Sequence, residues 1–201
     1  MRLGTLGVFL AALALTACAQ PAPPRDNFYR LTIATPVQPF PKPVLPGVLE
    51  VNRLDTDGAL SERGLAYQEA DGALARYAYD LWSDAPATAI QQNLAEYLRA
   101  AHAADEVVTP DLRVPPDWAL RGRLSRFEYL PAQSKVAVKL QLSVVSARDG
   151  TLVLLRSYAA DTPVQGAGPE AAVAAFNRAM SETLSRFAAD LAQTPVQNRH
   201  P

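Results

Sequence analysis

The stretch that decides the fold runs from Val136 to Ala159 and reads VAVKLQLSVVSARDGTLVLLRSYA. From 136 to 144 every second residue is valine or leucine, a period that places one side of a β-strand in a core and leaves the other side wetter. The Asp149-Gly150 dipeptide that follows is typical of a tight hairpin turn. The stretch therefore predicts two antiparallel strands, the second of which covers residues 151–159.

Further strands extend this hairpin into a sheet. Strand-like sequence already begins at Trp118 and continues to Ala160. Upstream, Asp71-Gly72 separates two runs rich in aromatic and aliphatic side chains, which predicts another antiparallel hairpin. The predicted upstream strands are 28–33, 48–54, 64–69, 73–79 and 107–109.

Two segments carry apolar residues at the three- and four-residue spacing of an amphipathic helix. The first begins with Pro86 in its first turn and Ser83 or Asp84 as the expected N-cap, and the second begins at Pro169. The predicted buried faces are Ile90, Leu94, Tyr97, Leu98 and Ala101 in the first helix and Val173, Phe176, Met180, Leu184, Phe187 and Leu191 in the second. A partner-binding or membrane-surface role is the alternative for the second helix. The sequence predicts an α+β fold, a mainly antiparallel sheet with two amphipathic helices packed on one face.

Composition excludes several classes of function. The chain has 201 residues, 19 basic against 20 acidic side chains, 49% hydrophobic and 19% charged residues. These values describe one globular domain without a strongly basic face for nucleic acid. One cysteine excludes an internal disulfide, and with two histidines it leaves too few soft ligands for a common structural zinc site. We expect no nucleic-acid partner, no metal and no cofactor.

The first residues have the pattern of a lipoprotein signal peptide. Arg2 precedes a run of about ten apolar residues, roughly half of what a membrane-spanning helix needs. The sequence LTAC at 15–18 has the form of a bacterial lipobox, in which Cys18 is lipidated and becomes the new amino terminus. The alternative is an ordinary cleaved signal peptide with an incidental thiol.

The lipobox also predicts where the protein resides. A diacylglyceryl group with an amide-linked acyl chain anchors a protein to a membrane without spanning it. Residue 19 is Ala and not Asp, which favours the outer membrane of a Gram-negative bacterium, with the domain facing the periplasm. The predicted parts of the chain are the signal peptide (1–17), the lipidated cysteine with a Pro-rich tether (18–26), the folded domain (27–193) and a disordered tail (194–201).

The sequence carries no familiar catalytic motif, so we expect no enzyme. A G-x-S-x-G elbow, a P-loop, a dinucleotide glycine fingerprint and H-E-x-x-H are all missing. His102 is expected at a helix end rather than in the role of a general base. Asp55 and Asp57 could form a carboxylate pair, but the DTDG sequence is more typical of a turn.

A family resemblance rests on the segment from Arg53 to Pro86, RLDTDGALSERGLAYQEADGALARYAYDLWSDAP. Together with Phe28-Tyr29-Arg30-Leu31 and the lipobox, it resembles the ABC-type transport auxiliary lipoprotein family. The matching features are Arg53, Asp57-Gly58, Arg63, Leu65, Tyr67, the segment 74–79 with Tyr77 and Tyr79, Trp82 and Pro86.

The resemblance implies a transport role and not enzymology. Members of that family are periplasm-facing lipoproteins that act alongside mammalian-cell-entry (MCE) domain proteins in lipid transport between the two membranes. The ATPase, the permease and the MCE protein are expected as separate chains, with this protein docking the periplasmic conduit or handing over phospholipid. Two alternatives stay open: a stand-alone carrier that encloses an acyl chain between the sheet and the last helix, and a structural lipoprotein of another outer-membrane assembly. A homo-oligomeric ring is a further hypothesis, on which strand alternation gives no evidence.

Arginine and aromatic side chains of the same segment form the candidate partner interface, because such residues are enriched in binding hot spots. The alternative is that the aromatic residues fill the junction between the hairpin and the first helix, and that the arginine pairs with a carboxylate. The candidates are Arg53, Arg63, Tyr67, Tyr77, Tyr79 and Trp82.

Overall fold

The computed structural model describes residues 24–36 and 38–194. The predicted signal peptide, the lipidation site Cys18, most of the tether and the predicted tail beyond Thr194 lie outside these residues. The strands are β1 (Asn27–Tyr29), β2 (Leu45–Val51), β3 (Asp55–Thr56), β4 (Gly64–Gln68), β5 (Leu74–Trp82), β6 (Ala104–Val108), β7 (Trp118–Leu130), β8 (Lys135–Ser146) and β9 (Leu152–Pro163). The helices are α1 (Pro86–Ala100) and α2 (Gly168–Ala192), and short 3-10 turns cover Gly58–Ser61, Pro110–Leu112 and Pro131–Gln133.

The sheet is mixed, so the prediction of a mainly antiparallel sheet was wrong. The predicted hairpins are present, since β4 pairs antiparallel with β5 and β8 pairs antiparallel with β9. Strands that are distant in sequence pair in parallel: β1 with β5, β2 with β6 and β7, and β3 and β4 with β7. Alternation identifies a strand but carries no information about such long-range partners, which is why the parallel pairs were missed.

Strand β7 organises the sheet. One of its edges pairs with β8 along almost its whole length. Its other edge is shared by three short strands, because Trp118–Leu120 pairs with β2, Arg123–Leu124 with β3 and Tyr129 with β4. A bulge between Leu124 and Arg126 interrupts the β7–β8 ladder, and bulges add twist. Thus β4 and its hairpin partner β5 lie at the far end of β7 from β2.

Both helices bury the faces that the sequence predicts. All eleven residues of those faces are at most 8% exposed. Helix α1 begins with Pro86, but its N-cap is Ala85 and no side chain caps it, so the expected cap at Ser83 or Asp84 was wrong. Proline at the first position lacks the backbone N–H that a cap would satisfy, which lowers the need for one.

The core joins sheet and helices through three aromatic rings. Trp82 at the end of β5 lies 5.4 Å from Phe127 on β7 and 5.5 Å from Phe176 on α2, measured between ring centroids. Phe127 and Phe176 stack at 4.3 Å. Each ring is at most 2% exposed, so the space between the sheet and the last helix is filled by side chains.

The segment after β1 leaves the sheet, which corrects the predicted strand at 28–33. The backbone N–H of Thr32 donates to the Asn177 Oδ1 atom at 3.0 Å, and that of Ala34 donates to the Ser181 Oγ atom at 2.9 Å. On the other helix, the Asn93 amide donates to the carbonyl oxygen of Leu31 at 3.2 Å. Polar side chains of α1 and α2 thus replace a neighbouring strand as hydrogen-bond partners of this segment.

Smaller differences concern the strand ends and one turn. The strand predicted at 48–54 spans Leu45–Val51, and the one predicted at 107–109 spans Ala104–Val108. The DTDG sequence contributes Asp55–Thr56 to the sheet as β3, and only then does the chain turn at Asp57 into the 3-10 segment. Two residues are too few to produce an alternation pattern, so the sequence could not show this strand.

Candidate functional site

The β4–β5 hairpin carries most of the candidate interface residues. Its turn is the one that the sequence predicts: Gly72 has φ +90°, and the Ala73 backbone N–H donates to the Asp71 carboxylate at 2.9 Å. A positive φ of this size favours glycine, and the aspartate fixes the backbone beside it. The turn conformation of the hairpin is therefore well defined.

A bulge in β5 changes the direction of side chains near the base of the hairpin. Ala66 pairs with Arg76, whereas Gly64 pairs with Leu81, so β5 has the longer path between the two pairings. Bulges redirect side chains away from simple alternation. Tyr77 and Tyr79 lie in this stretch, and Tyr79 is left 45% exposed.

Arg63 lies at the base of the hairpin against an aromatic ring. Its Nε atom donates to the Trp82 carbonyl oxygen at 2.9 Å, and its guanidinium lies 5.2 Å from the centre of the Phe28 ring. Within the described residues Arg63 forms no ion pair, so the carboxylate pairing offered as the alternative does not occur there. The Phe28 ring is 56% exposed. Cation and ring together form an exposed pair at the β1 edge.

Tyr67 and Tyr77 contact each other across the hairpin. Their ring centroids lie 4.5 Å apart, and both side chains are half-buried. Tyr67 is also the direct neighbour of Tyr129 in β7. Burial raises the pKa of Tyr77, and the nearby Tyr129 and Tyr67 add to the effect. This cluster therefore presents uncharged rings and hydroxyl groups.

Tyr29 fastens β1 to β5. Its hydroxyl donates to the Asp80 Oδ1 atom at 3.0 Å, and the Asn27 side-chain amide donates to the same oxygen at 3.0 Å. Burial, followed by the hydrogen bond to Asp80, raises the pKa of Tyr29 to about 12. A short edge strand is thereby held in register by side chains as well as by its backbone.

The two remaining candidates lie elsewhere. Trp82 is 2% exposed, a position that matches the alternative in which it fills the junction between hairpin and helix. Arg53 is exposed and follows β2. Strand β2 pairs with β7 at Trp118–Leu120, whereas the hairpin pairs with β7 at Tyr129, so Arg53 lies away from the hairpin. The exposed candidates are therefore Tyr79 and Arg63, which lies beside Phe28, while the Tyr67–Tyr77 pair is half-buried and packs against the core. We call Tyr67, Tyr77 and Tyr79 of the hairpin the hairpin surface.

Phe28 is the residue that sequence reasoning missed. Phe28 belongs to a predicted strand and to the family resemblance, but not to the predicted interface. Alternation along a three-residue strand cannot show which of two adjacent aromatic residues faces solvent. The pairing of Phe28 with Leu81, which brings it beside the base of the hairpin, is a long-range contact.

The acidic and histidine candidates do not assemble a reactive centre. The Asp57 carboxylate accepts hydrogen bonds from the Arg123 guanidinium at 2.6 and 2.7 Å, and this partner lowers its pKa. His102 follows α1 with φ 57°, and its Nδ1 atom lies 3.1 Å from the Phe40 carbonyl oxygen. Among residues 24–36 and 38–194, no group of acidic, histidine or cysteine side chains could hold a metal ion. In the same residues, neither helix is both long and apolar enough to cross a bilayer.

Comparison with known proteins identifies the family. Residues 29–192 match the family described as the ABC-type transport auxiliary lipoprotein component. The chain belongs to this family. The match includes the last residue of β1, all later strands and both helices, and it confirms the resemblance seen in the central segment.

Solved structures share the fold of this auxiliary lipoprotein. A Xanthomonas campestris protein of the DUF330 family has a TM-score of 0.71 at 17% identity, over 81% of this chain and 92% of its own. An uncharacterized protein has a TM-score of 0.68 at 15% identity, over 84% of this chain and 99% of its own. At these identities the likeness shows the fold alone. A search of curated proteins found no match.

Family membership establishes the general class of this auxiliary lipoprotein. The family description is that of a lipoprotein component of ABC-type transport, and not that of an enzyme. It implies association with a membrane and with a transport system.

Proposed function

We propose that this protein is a periplasm-facing lipoprotein of the outer membrane and a non-catalytic accessory of an ABC/MCE-type (phospho)lipid transport system. In this role it docks the periplasmic MCE-domain protein at the outer membrane. The match of residues 29–192 to the auxiliary lipoprotein family carries the proposal. Acylation of Cys18, with Ala19 after it, supplies the anchor and the proposed address.

The hairpin surface is the proposed docking site. Tyr79 is 45% exposed in the bulge of β5, a strand that pairs with β4 on one side and, from Asp80 onward, with β1 on the other, so binding would cost little ordering of the strand. The Tyr67–Tyr77 pair of the same hairpin is half-buried, with its ring centroids 4.5 Å apart. Exposed aromatic rings with polar groups, mounted on a rigid element, are typical centres of binding interfaces.

A stand-alone lipid carrier is less favoured by the packing. That function needs room for an acyl chain between the sheet and the last helix. The stacked rings of Phe127 and Phe176 occupy this layer, and Met180, Leu184 and Phe187 of α2 are fully buried beside them. The docking role requires no such cavity.

Co-purification from crosslinked envelopes tests the proposal. The lipidated chain is compared with Tyr79→Ala, and with Leu112→Ala as a matched control, because Leu112 is 57% exposed and lies outside the hairpin surface. We expect mass spectrometry to identify an MCE-domain protein with the parent chain and the control, and at least tenfold less with Tyr79→Ala, the loss expected for a hot spot of about 1.4 kcal/mol.

Two results would contradict the proposal. Equal recovery with a folded Tyr79→Ala variant would exclude the hairpin surface as the docking site. Recovery of phospholipid or of another outer-membrane assembly, without an MCE-domain protein, would favour the carrier or the structural lipoprotein instead.

A further inference from the structure

The length of chain before the folded domain limits how the domain can sit on its membrane. Six Cα–Cα steps separate Cys18 from Pro24, the first described residue, and they span at most about 22 Å in any conformation. A domain of this size is about 40 Å across. Because the tether is shorter than the domain, an acylated Cys18 keeps Pro24 and the β1 edge on the membrane side.

We propose that Phe28 and Arg63 form the contact between the domain and the phospholipid surface, with the Phe28 ring inserted among the headgroups. The inference rests on acylation of Cys18 and not on the identity of any protein partner. Phe28 lies four residues after Pro24 and is 56% exposed. Burial of such a ring at the boundary between headgroups and acyl chains is favourable.

The geometry of Arg63 suits a phosphate group. Its Nε atom is occupied by the Trp82 carbonyl oxygen, and its guanidinium lies 5.2 Å from the centre of the Phe28 ring. In the part of the chain that the structure describes, its two terminal nitrogens have no hydrogen-bond partner. Guanidinium N–H groups form strong hydrogen bonds with phosphate oxygens. The Phe28 ring would therefore contact the boundary between headgroups and acyl chains, while the Arg63 guanidinium beside it would contact a phosphate group.

Net charge does not drive this contact. The exposed Arg25 and Arg30 are offset by the acidic Asp26 and Asp84, both exposed near the same edge. Electrostatic attraction to anionic lipid should therefore be weak. We expect the contact to depend on the Phe28 ring, to form on zwitterionic bilayers and to change little with salt.

Spin labelling of the lipidated full-length protein in vesicles tests the orientation. Acylation consumes the thiol of Cys18, the one cysteine of the chain, so a single new cysteine takes the nitroxide. The label is placed at Asp26→Cys, two residues before Phe28, and in a separate protein at Leu112→Cys as control. Vesicles contain phosphatidylethanolamine and phosphatidylglycerol, and accessibility to oxygen and to a water-soluble nickel chelate is measured.

The proposal expects position 26 to lose nickel accessibility on vesicles while position 112 keeps it. Adding Phe28→Ser to the Asp26→Cys protein should restore nickel accessibility at 26, whereas adding Tyr79→Ser should not. Equal aqueous exposure of both positions, or no effect of Phe28→Ser, would overturn the proposal. An intact mass without acyl chains would also overturn it, since the tether argument would then fail. Loss of partner docking alone, with these accessibilities retained, would contradict only the proposed function.

Discussion

The rings of Phe127 on β7 and Phe176 on α2 stack with their centroids 4.3 Å apart, and this contact fastens the last helix to the central strand of the sheet. Trp82 lies against both rings. Trp82, the last residue of the hairpin strand β5, therefore belongs to the same aromatic cluster that attaches α2.

Replacing Phe176 should destabilise the whole domain. Phe176 is fully buried, so Phe176→Ala leaves a cavity and should lower the free energy of unfolding by about 3–5 kcal/mol. Phe176→Leu keeps more of the volume and should cost clearly less. Urea unfolding followed by tryptophan fluorescence measures both, since Trp82 reports on the cluster. Equal effects of the two variants would contradict the packing described.

Gly122 marks a close approach that the sequence does not reveal. A Cβ atom added there would lie 2.5 Å from the Gln141 backbone oxygen and 2.8 Å from a methyl group of Leu54. Backbone cannot move aside cheaply, so Gly122→Ala should lower stability by about 1–3 kcal/mol. Ser125→Ala, at an exposed position of the same strand, should change stability by at most about 1 kcal/mol in the same urea titration.

Tyr29 should make the protein less stable at alkaline pH. The pKa of Tyr29 rises from 10.0 to about 12 on folding, so the folded state keeps a proton that the unfolded state releases. The resulting stability is complete below pH 10 and is lost as the pH rises from 10 to 12. Tyr29→Phe should reduce this decline and cost about 1 kcal/mol at neutral pH. Unfolding measured between pH 7 and 12 checks both, and an unchanged alkaline decline would contradict the assignment.

Arginine side chains should protect the open edge of β9. Arg178 and Arg186 of α2 donate to the carbonyl oxygens of Pro163 and Ala159 at 2.8 Å, and Arg156 donates to that of Leu155 at 3.1 Å. These carbonyls are four residues apart and point to the same side of the strand. Groups that occupy an edge hinder pairing with another strand.

Loss of the helix arginines should therefore promote association. We expect the double variant Arg178→Ala and Arg186→Ala to form larger species in light scattering as concentration rises. The double variant Arg121→Ala and Arg148→Ala removes the same charge at other exposed positions and serves as control. If both double variants associate equally, charge and not edge protection is responsible.

Features set by neighbouring residues were predictable from the sequence. The turn at Asp71-Gly72 and the buried face of α2 follow from local chemistry and period, and the structure confirms both. The parallel pairing of β4 with β7 was not predictable, because it depends on the position of Tyr67 beside Tyr129, far away in sequence.

The candidate site shows the same limit. The aromatic residues of β5 could be identified, but their exposure could not. Tyr77 and Tyr79 are two residues apart and would share a face in a regular strand, but in the bulged stretch of β5 Tyr77 is half-buried and Tyr79 is 45% exposed. Phe28 reaches the hairpin only through the pairing of β1 with β5, so nothing in its own neighbourhood indicates a site.

Photocrosslinking from position 79 is the most direct test of whether the hairpin surface docks a component of a transport system. A photoreactive phenylalanine derivative replaces Tyr79, or Leu112 as control, in the lipidated chain within intact envelopes. We expect a crosslink to an MCE-domain protein from position 79 and none from position 112. Crosslinks from 112 alone, or none to such a protein from 79 in a folded and acylated chain, would contradict the account.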